Sequence, residues 1–335
     1  SERWVIDDFK IQGTPVPIGT NEISAGSDPE PASISSLKDT ESEELQVFDF
    51  NMIDDGSTPS TDNLPTKIQK ITIFQGANNQ VADWTKVIAG AQLMDENAEI
   101  VTGTINNNSI VFSSLPNTNT TDIGYVADNN TKRYMLYIWL KNDMTTYKTT
   151  IDNKVLEFKV DYSSFIFASG SNFPSGSGSG TTITSGADKN KIQVVATKLN
   201  YAIIPTNATK NIKFIVSVEA TDANNNRDLD ATNSITLSHN GIGNLISNQG
   251  LTNNLNNGIF TWNNLKYDTT GNITITASTT GLTSATSTVN FLEGTLYFEE
   301  NFNYTAGTLL SNNGWTDFNA PSGAKIDITN TGLTF

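Results

Sequence analysis

The chain of 335 residues carries 20 basic against 35 acidic residues, a net charge of −15, and contains no cysteine. Such a surface repels phosphate backbones and anionic lipid, so a nucleic-acid partner is not expected. The missing thiols remove disulfides, thiolate metal sites and cysteine nucleophiles, and no apolar run approaches the ~20 residues of a membrane-crossing helix.

Charged residues are only 16% of the chain, with Asn, Thr, Ser and Gly in their place. Asn and Gly serve turns, and Thr serves strands with one wet face. Ser1 is not an initiator methionine and no basic-then-apolar leader precedes it. The expectation is a processed chain or an internal segment.

Residues 1–20, with "RWVIDDFKIQG" and the Pro15/Pro17 break, read as the last strand of a preceding β module. Residues 21–198 read as a first, larger sandwich. Within it, Trp84, Val87, Ile88 and Ala91 in "ADWTKVIAGAQL" fall at helical spacing behind Asp83, a suitable N-cap, which predicts one short helix or helical turn. "YMLYIWLK" alternates instead: Tyr134, Leu136, Ile138 and Leu140 share one face, and Met135, Tyr137, Trp139 and Lys141 the other. The Gly/Ser-rich stretch 168–190 reads as a long loop late in this sandwich, because the strand "KIQVVATKL" follows it directly.

Residues 199–292 have the length of an immunoglobulin-type domain. "FIVSVEAT" points Phe214, Val216, Val218 and Ala220 to one side, and "NITITAST" does the same with Ile273, Ile275 and Ala277. A period of two with one apolar face marks strands packed against a second sheet. Residues 293–335 read as the start of a following module. The fold class expected is all-β: tandem immunoglobulin-like β-sandwiches with one short helix in the first.

The most suggestive polar string is D-x-N-x-N-x-D-x-D, with Asp222, Asn224, Asn226, Asp228 and Asp230 at alternate positions. Counted as an EF-hand loop from Asp222, it has Arg227 at position six and Asn233 at position twelve, so the glycine bend and the bidentate carboxylate are both missing. Two readings stay open. One is a different calcium loop, since calcium accepts six to eight carboxylate, amide and carbonyl oxygens; the other is an Asx-rich turn between strands, with Arg227 compensating the charge. Asp54, Asp55 and Asp62 in "MIDDGSTPSTD" form a second acidic stretch, ranked below the first.

No catalytic set is assigned. The adjacent pairs Asp7–Asp8, Asp54–Asp55 and Glu299–Glu300 do not suit glycosidase chemistry, because neighbours on a strand point to opposite faces. His239, the single histidine, lacks a G-x-S-x-G nucleophile elbow. Trp262 and Tyr267, with Trp139 and Tyr137, make a candidate sugar-stacking platform, against which stands plain packing at a module junction.

"LPTKIQKITIFQG", "VADWTKVIAGAQL", "IGYVADNNTKRYMLYIWLK", "TTIDNKVLEFKV" and "IQVVATKLNY" occur in an order that resembles immunoglobulin-like modules of very large secreted surface proteins of Bacteroidota, typically type IX secretion cargo. "VSVEATDANNNRDLD" through "FTWNNLKYDTTGNITITAS" resembles the bacterial immunoglobulin-like repeat that often comes next, and the two ends resemble partial jelly-roll or lectin-like modules. The resemblance implies a secreted or cell-surface location. It implies neighbouring modules of the same polypeptide and export machinery or outer-membrane components as partners. It also implies that "DTT" at Asp268–Thr270 offers Thr269 for O-glycosylation. The expected role is a non-catalytic structural or adhesive spacer without a cofactor. The alternative is a carbohydrate- or calcium-dependent module attached to a secreted hydrolase, with surface glycans as partners.

Overall fold

A computed structural model describes residues 21–55, 64–169, 171, 181–294, 327–329 and 332–334. The expectations for residues 1–20 and for most of 293–335 lie outside them. The fold is all-β, and two separate hydrophobic cores organise it. One gathers Ile23 to Val194 and the other Leu199 to Phe291.

The first core is enclosed by fourteen strands: β1 (Glu22–Ala25), β2 (Ser33–Ser35), β3 (Leu45–Ile53), β4 (Thr66–Gln75), β5 (Ile88–Asp95), β6 (Ile100–Thr102), β7 (Thr104–Ile105), β8 (Ser109–Ser113), β9 (Tyr125–Val126), β10 (Thr131–Leu140), β11 (Phe158–Asp161), β12 (Phe165–Phe167), β13 (Thr182–Thr184) and β14 (Lys191–Gln193). One sheet has the order β1-β3-β10-β5-β6. It faces a second, ordered β13-β11-β4-β8-β7, with β9 and β12 also paired to β4. Strand β14 lies parallel to β2, which ties the end of this sandwich back to its beginning.

Alternation explains the inner faces. In β10, Tyr134, Leu136, Ile138 and Leu140 are buried, while Met135, Tyr137 and Trp139 are half-buried on the outer face. Tyr134 stacks on Phe50, 5.3 Å between centroids, and its hydroxyl donates to the Ile123 carbonyl at 2.7 Å. The buried phenol therefore keeps a polar partner. The helical stretch is a single 3-10 turn, Trp84–Lys86, capped by Asp83, whose side chain accepts from Thr85 N–H. Ile88 onward is strand instead, because β5 pairs with β10 on one side and β6 on the other.

The second core is enclosed by β15 (Lys198–Ile203), β16 (Asn207–Thr209), β17 (Phe214–Thr221), β18 (Ser234–His239), β19 (Leu245–Ile246), β20 (Thr252–Asn254), β21 (Ile259–Tyr267), β22 (Gly271–Ser278) and β23 (Ala285–Leu292). Their sheets run β15-β17-β21-β19 and β16-β23-β22-β18-β20. A four-strand sheet on a five-strand sheet at this size is the immunoglobulin-like arrangement. Leu292 begins a separate compact unit. Of that unit, the antiparallel pair β24 (Asp327–Thr329) and β25 (Gly332–Thr334) is described.

Candidate functional site

The string 222–230 leaves the end of β17 and turns back on itself. Asn225 takes a left-handed backbone (φ 65°), and Asp222 N–H donates to the Asn226 carbonyl at 3.0 Å. The Asp222 carboxylate closes the turn from inside. Its Oδ1 accepts from Asn226 N–H at 2.8 Å and its Oδ2 from Asn226 Nδ2 at 2.9 Å. Arg227 swings over the outer face of β17, where Nε and Nη2 donate to Glu219 Oε2 at 2.8 and 2.7 Å. That contact lets Glu219 be buried on a strand that periodicity alone leaves half-wet. Gly258 is required beneath the loop: its φ is +71°, and a Cβ there would stand 2.0 Å from the Asp228 carbonyl oxygen.

The partners of this loop lie mostly in the first sandwich. Ser36 Oγ donates to Asp222 Oδ2 at 2.7 Å in a buried contact, and Asn224 Nδ2 donates to Asp39 Oδ2 at 2.7 Å. Arg227 N–H donates to the Lys148 carbonyl at 2.7 Å. Leu229 N–H donates to Asp152 Oδ2 at 2.8 Å, and Asn153 Nδ2 to Asp230 Oδ2 at 3.0 Å. The connecting segment is held by the same residues: Val194 N–H donates to Asp152 Oδ1 at 2.8 Å and Ala196 N–H to Asp228 Oδ2 at 2.9 Å. The loop is a clasp between the two sandwiches.

The five oxygen-bearing side chains do not converge on one point, which corrects the single-loop calcium geometry. Asp222 and Asn226 satisfy each other, and Asn224 goes to Asp39. Asp228 and Asp230 instead meet Asp152, each offering an oxygen within 4.8 Å of the others. Burial pushes the Asp152 carboxyl up, opposed by the N–H groups of Val194 and Leu229 and reinforced by the charges of Asp228 and Asp230.

A second acidic group forms at the other end of the first sandwich. Asp54 and Asp55 follow β3, Asp128 precedes β10, and the three offer oxygens within 4.8 Å of one another. Register explains the meeting, because Ile53 lies opposite both Glu22 of β1 and Thr131 of β10. The turns are fixed by backbone bonds: Asp54 N–H to the Asn130 carbonyl at 2.8 Å, and Asp55 N–H to Asn21 Oδ1 at 2.8 Å. Burial pushes the Asp54 carboxyl up to about 6. Hydrogen bonding to Thr66 and Asn129 pulls it the other way, and the Asp55 charge adds to the rise. Sequence reasoning ranked Asp54 and Asp55 low and did not name Asp128.

The aromatic platform is corrected as well. Trp262 and Tyr267 are 0% and 1% exposed, so neither presents a ring to a ligand. Trp262 Nε1 donates to the Gly250 carbonyl at 2.9 Å, and the Tyr267 hydroxyl accepts from Gly243 N–H at 2.9 Å. The cause is a bulge: Phe214 faces Leu265 while Val216 faces Trp262, so β21 spends three residues where β17 spends two. The extra residue turns Trp262 inward with Leu265 and Tyr267. Of the proposed aromatics, Trp139 and Tyr137 remain half-buried on the outer face of β10. Thr269 is half-buried, with its hydroxyl donating to Asp268 Oδ1 at 3.0 Å. His239 packs edge-on against Tyr267.

Fold and site together define a pair of β-sandwiches joined by a hydrogen-bonded clasp. No protein-family model matches the chain, and no curated protein sequence matches it. Among solved structures it is similar to a β-glycosidase from Bacteroides vulgatus at 11% identity, over 54% of this chain and 22% of that one, with a TM-score of 0.28. It is similar to a β-glucuronidase from glycoside hydrolase family 2 at 17% identity, over 68% and 19%, with a TM-score of 0.27. The fibronectin(III)-like modules of Clostridium thermocellum CbhA match at 10% identity, over 84% and 100%, with a TM-score of 0.19. The chain spans about a fifth of the length of the glycosidases it matches. Likenesses this distant carry no argument about activity.

Proposed function

We propose that the chain is a rigid, non-catalytic segment of a larger exported bacterial surface protein, setting the spacing and direction of neighbouring modules. The observation that carries this reading is the buried Ser36–Asp222 hydrogen bond at 2.7 Å and the clasp around it. Domains in series move relative to one another unless their interface fixes them. Here the connecting backbone and the interface share carboxylates, so bending the joint breaks bonds to Asp152, Asp222 and Asp228 together. The acidic surface, rich in Asn, Thr and Ser, and the resemblance to surface-protein modules support the location. Neighbouring modules, export machinery and outer-membrane components are the partners this role requires.

Spin–spin distance measurement tests it, and the absence of cysteine makes labelling clean. Thr102→Cys and Ile242→Cys place one label on each sandwich. A narrow distance distribution is expected, and a broad one spanning tens of ångströms defeats the spacer reading.

A second reading, carbohydrate binding, is favoured by Trp139 alone. Its indole lies beside a depression of about 310 Å³ lined by Gly90, Thr102, Gly103 and Lys141 among others. A glycan-panel signal abolished by Trp139→Ala supports that reading. An unchanged signal removes Trp139 from it.

A further inference from the structure

We propose that Asp54, Asp55 and Asp128 form a calcium site at the end of the first sandwich remote from the clasp. Three carboxylates meet there, each supplying an oxygen within 4.8 Å of the other two. Asp54 is 2% exposed, and its Oδ2, sealed from solvent, meets no donor in hydrogen-bonding geometry. Asp128 Oδ1 is likewise shut away from water without a donor. The Asp54 carboxylate has Thr66 and Asn129 beside it, but the Asn129 N–H reaches Oδ1 only at a long 3.4 Å, and Oδ2 is left without a donor. An ionised oxygen cut off from both water and N–H groups is costly unless a cation faces it.

Nearby protein cations are committed elsewhere. Lys132, at the start of β10, is buried with Asp95 at 2.9 Å and also donates to the Asp122 carbonyl at 2.7 Å. Arg133 bridges Asp28 and Asp49. Among the described residues, no Lys, Arg or His forms an ion pair with Asp54 or Asp128. The contrast with Asp152, Asp228 and Asp230 is instructive. There Val194, Leu229, Ala196 and Asp230 direct backbone N–H groups at the carboxylates, so that group has partners without a metal.

The donor set selects the ion. All three ligands are hard carboxylate oxygens, with no imidazole or thiolate among them, which suits calcium and disfavours zinc or copper. Calcium tolerates irregular oxygen shells of six to eight, whereas magnesium demands a near-octahedral one and sheds water reluctantly. Turn residues at the ends of β3 and β10 supply an irregular shell of that kind. Bound there, the ion would pin the ends of β3 and β10 together.

The test is calorimetric titration of the full chain, freed of metal by chelation, with calcium chloride alone. One site per chain is expected, with a Kd of about 10⁻⁴–10⁻³ M as in extracellular modules, and magnesium should bind more weakly. Asp128→Asn, at a half-buried position, should lower the calcium affinity at least tenfold, and Asp54→Asn should do the same. Asp230→Asn should leave it unchanged. If Asp54→Asn fails to fold, Asp128→Asn decides the matter alone. No heat up to about 10 mM calcium, full binding by folded Asp128→Asn, or binding abolished by Asp230→Asn would each overturn the proposal.

Discussion

Asp222→Ala is the sharpest perturbation of the clasp. The carboxylate accepts three hydrogen bonds, from Ser36 Oγ, Asn226 N–H and Asn226 Nδ2, at 2.7, 2.8 and 2.9 Å. Ser36 is 1% and Asn226 0% exposed, so all three donors are stranded where water cannot replace the lost acceptor. Bonds to a charged group are worth about 1.5–3 kcal/mol each, but those sharing one carboxylate are not additive. The expected loss is about 3–5 kcal/mol, the scale for removing one partner of a buried charged pair. Ser36→Ala removes the cross-domain bond and leaves both Asn226 bonds, so about 1–2 kcal/mol is expected from it. Urea unfolding followed by fluorescence reports both cores, since Trp84 sits in the first and Trp262 in the second. The double mutant should show a coupling of about 1–2 kcal/mol between positions 36 and 222. A coupling below about 0.3 kcal/mol, within the additivity of independent sites, refutes the idea that this bond links the domains.

Two further outcomes follow from the geometry. Trp262→Ala should cost about 3–5 kcal/mol, the range for emptying a buried indole, and near-wild-type stability in denaturant would contradict its place in the core. Asp28 gives a pH dependence. The hydrogen bond from Arg133, then that from Gln46, holds its carboxyl below the usual aspartate range. A lowered folded value means the contribution is fully present above the unfolded value of about 3.9 and is lost as pH falls through the folded value. Asp28→Asn should therefore melt slightly below wild type at pH 7, by a small margin because the group is exposed. The gap should close in acid. A gap that widens as pH drops has the wrong sign for this pairing.

Legibility followed periodicity and stopped at register. The alternation in β10 and β22 placed Tyr134, Leu136, Ile138, Ile273, Ile275 and Ala277 inward, where they are buried. The burial of Trp262, offered as one half of a stacking platform, depends on a bulge in β21, and a bulge leaves no periodic trace of its own. In β17 the alternation found Val216 and Val218 but not the burial of Glu219, which depends on Arg227 returning across the strand. The helical spacing at Trp84–Ala91 captured the 3-10 turn and overran it, since pairing of β5 with β10 outweighs local pattern. The Asx turn at 222–226 was readable from its own residues. Its bonds to Ser36, Asp39 and Asp152 were not, because they join segments about 70–190 positions apart that only the packed sheets bring together.

The same strand connects the two ends of the first sandwich. Strand β10 begins three residues after Asp128 and ends at Leu140, whose N–H donates to the Lys38 carbonyl at 2.7 Å, between clasp residues Ser36 and Asp39. Ten residues at ~3.3 Å each separate the acidic turns from the clasp by roughly 30 Å. Both ends use aspartates, but oppositely. At the clasp, backbone N–H groups and neutral side chains meet the carboxylates, so the joint is held by directional bonds that salt hardly weakens. At Asp54 and Asp128, one buried oxygen of each carboxylate lacks a donor, and that is the position the proposed calcium ion would fill. Removing calcium should therefore loosen the ends of β3 and β10 while leaving the interdomain distance unchanged. A joint that loosened with them would mean the two ends are not independent.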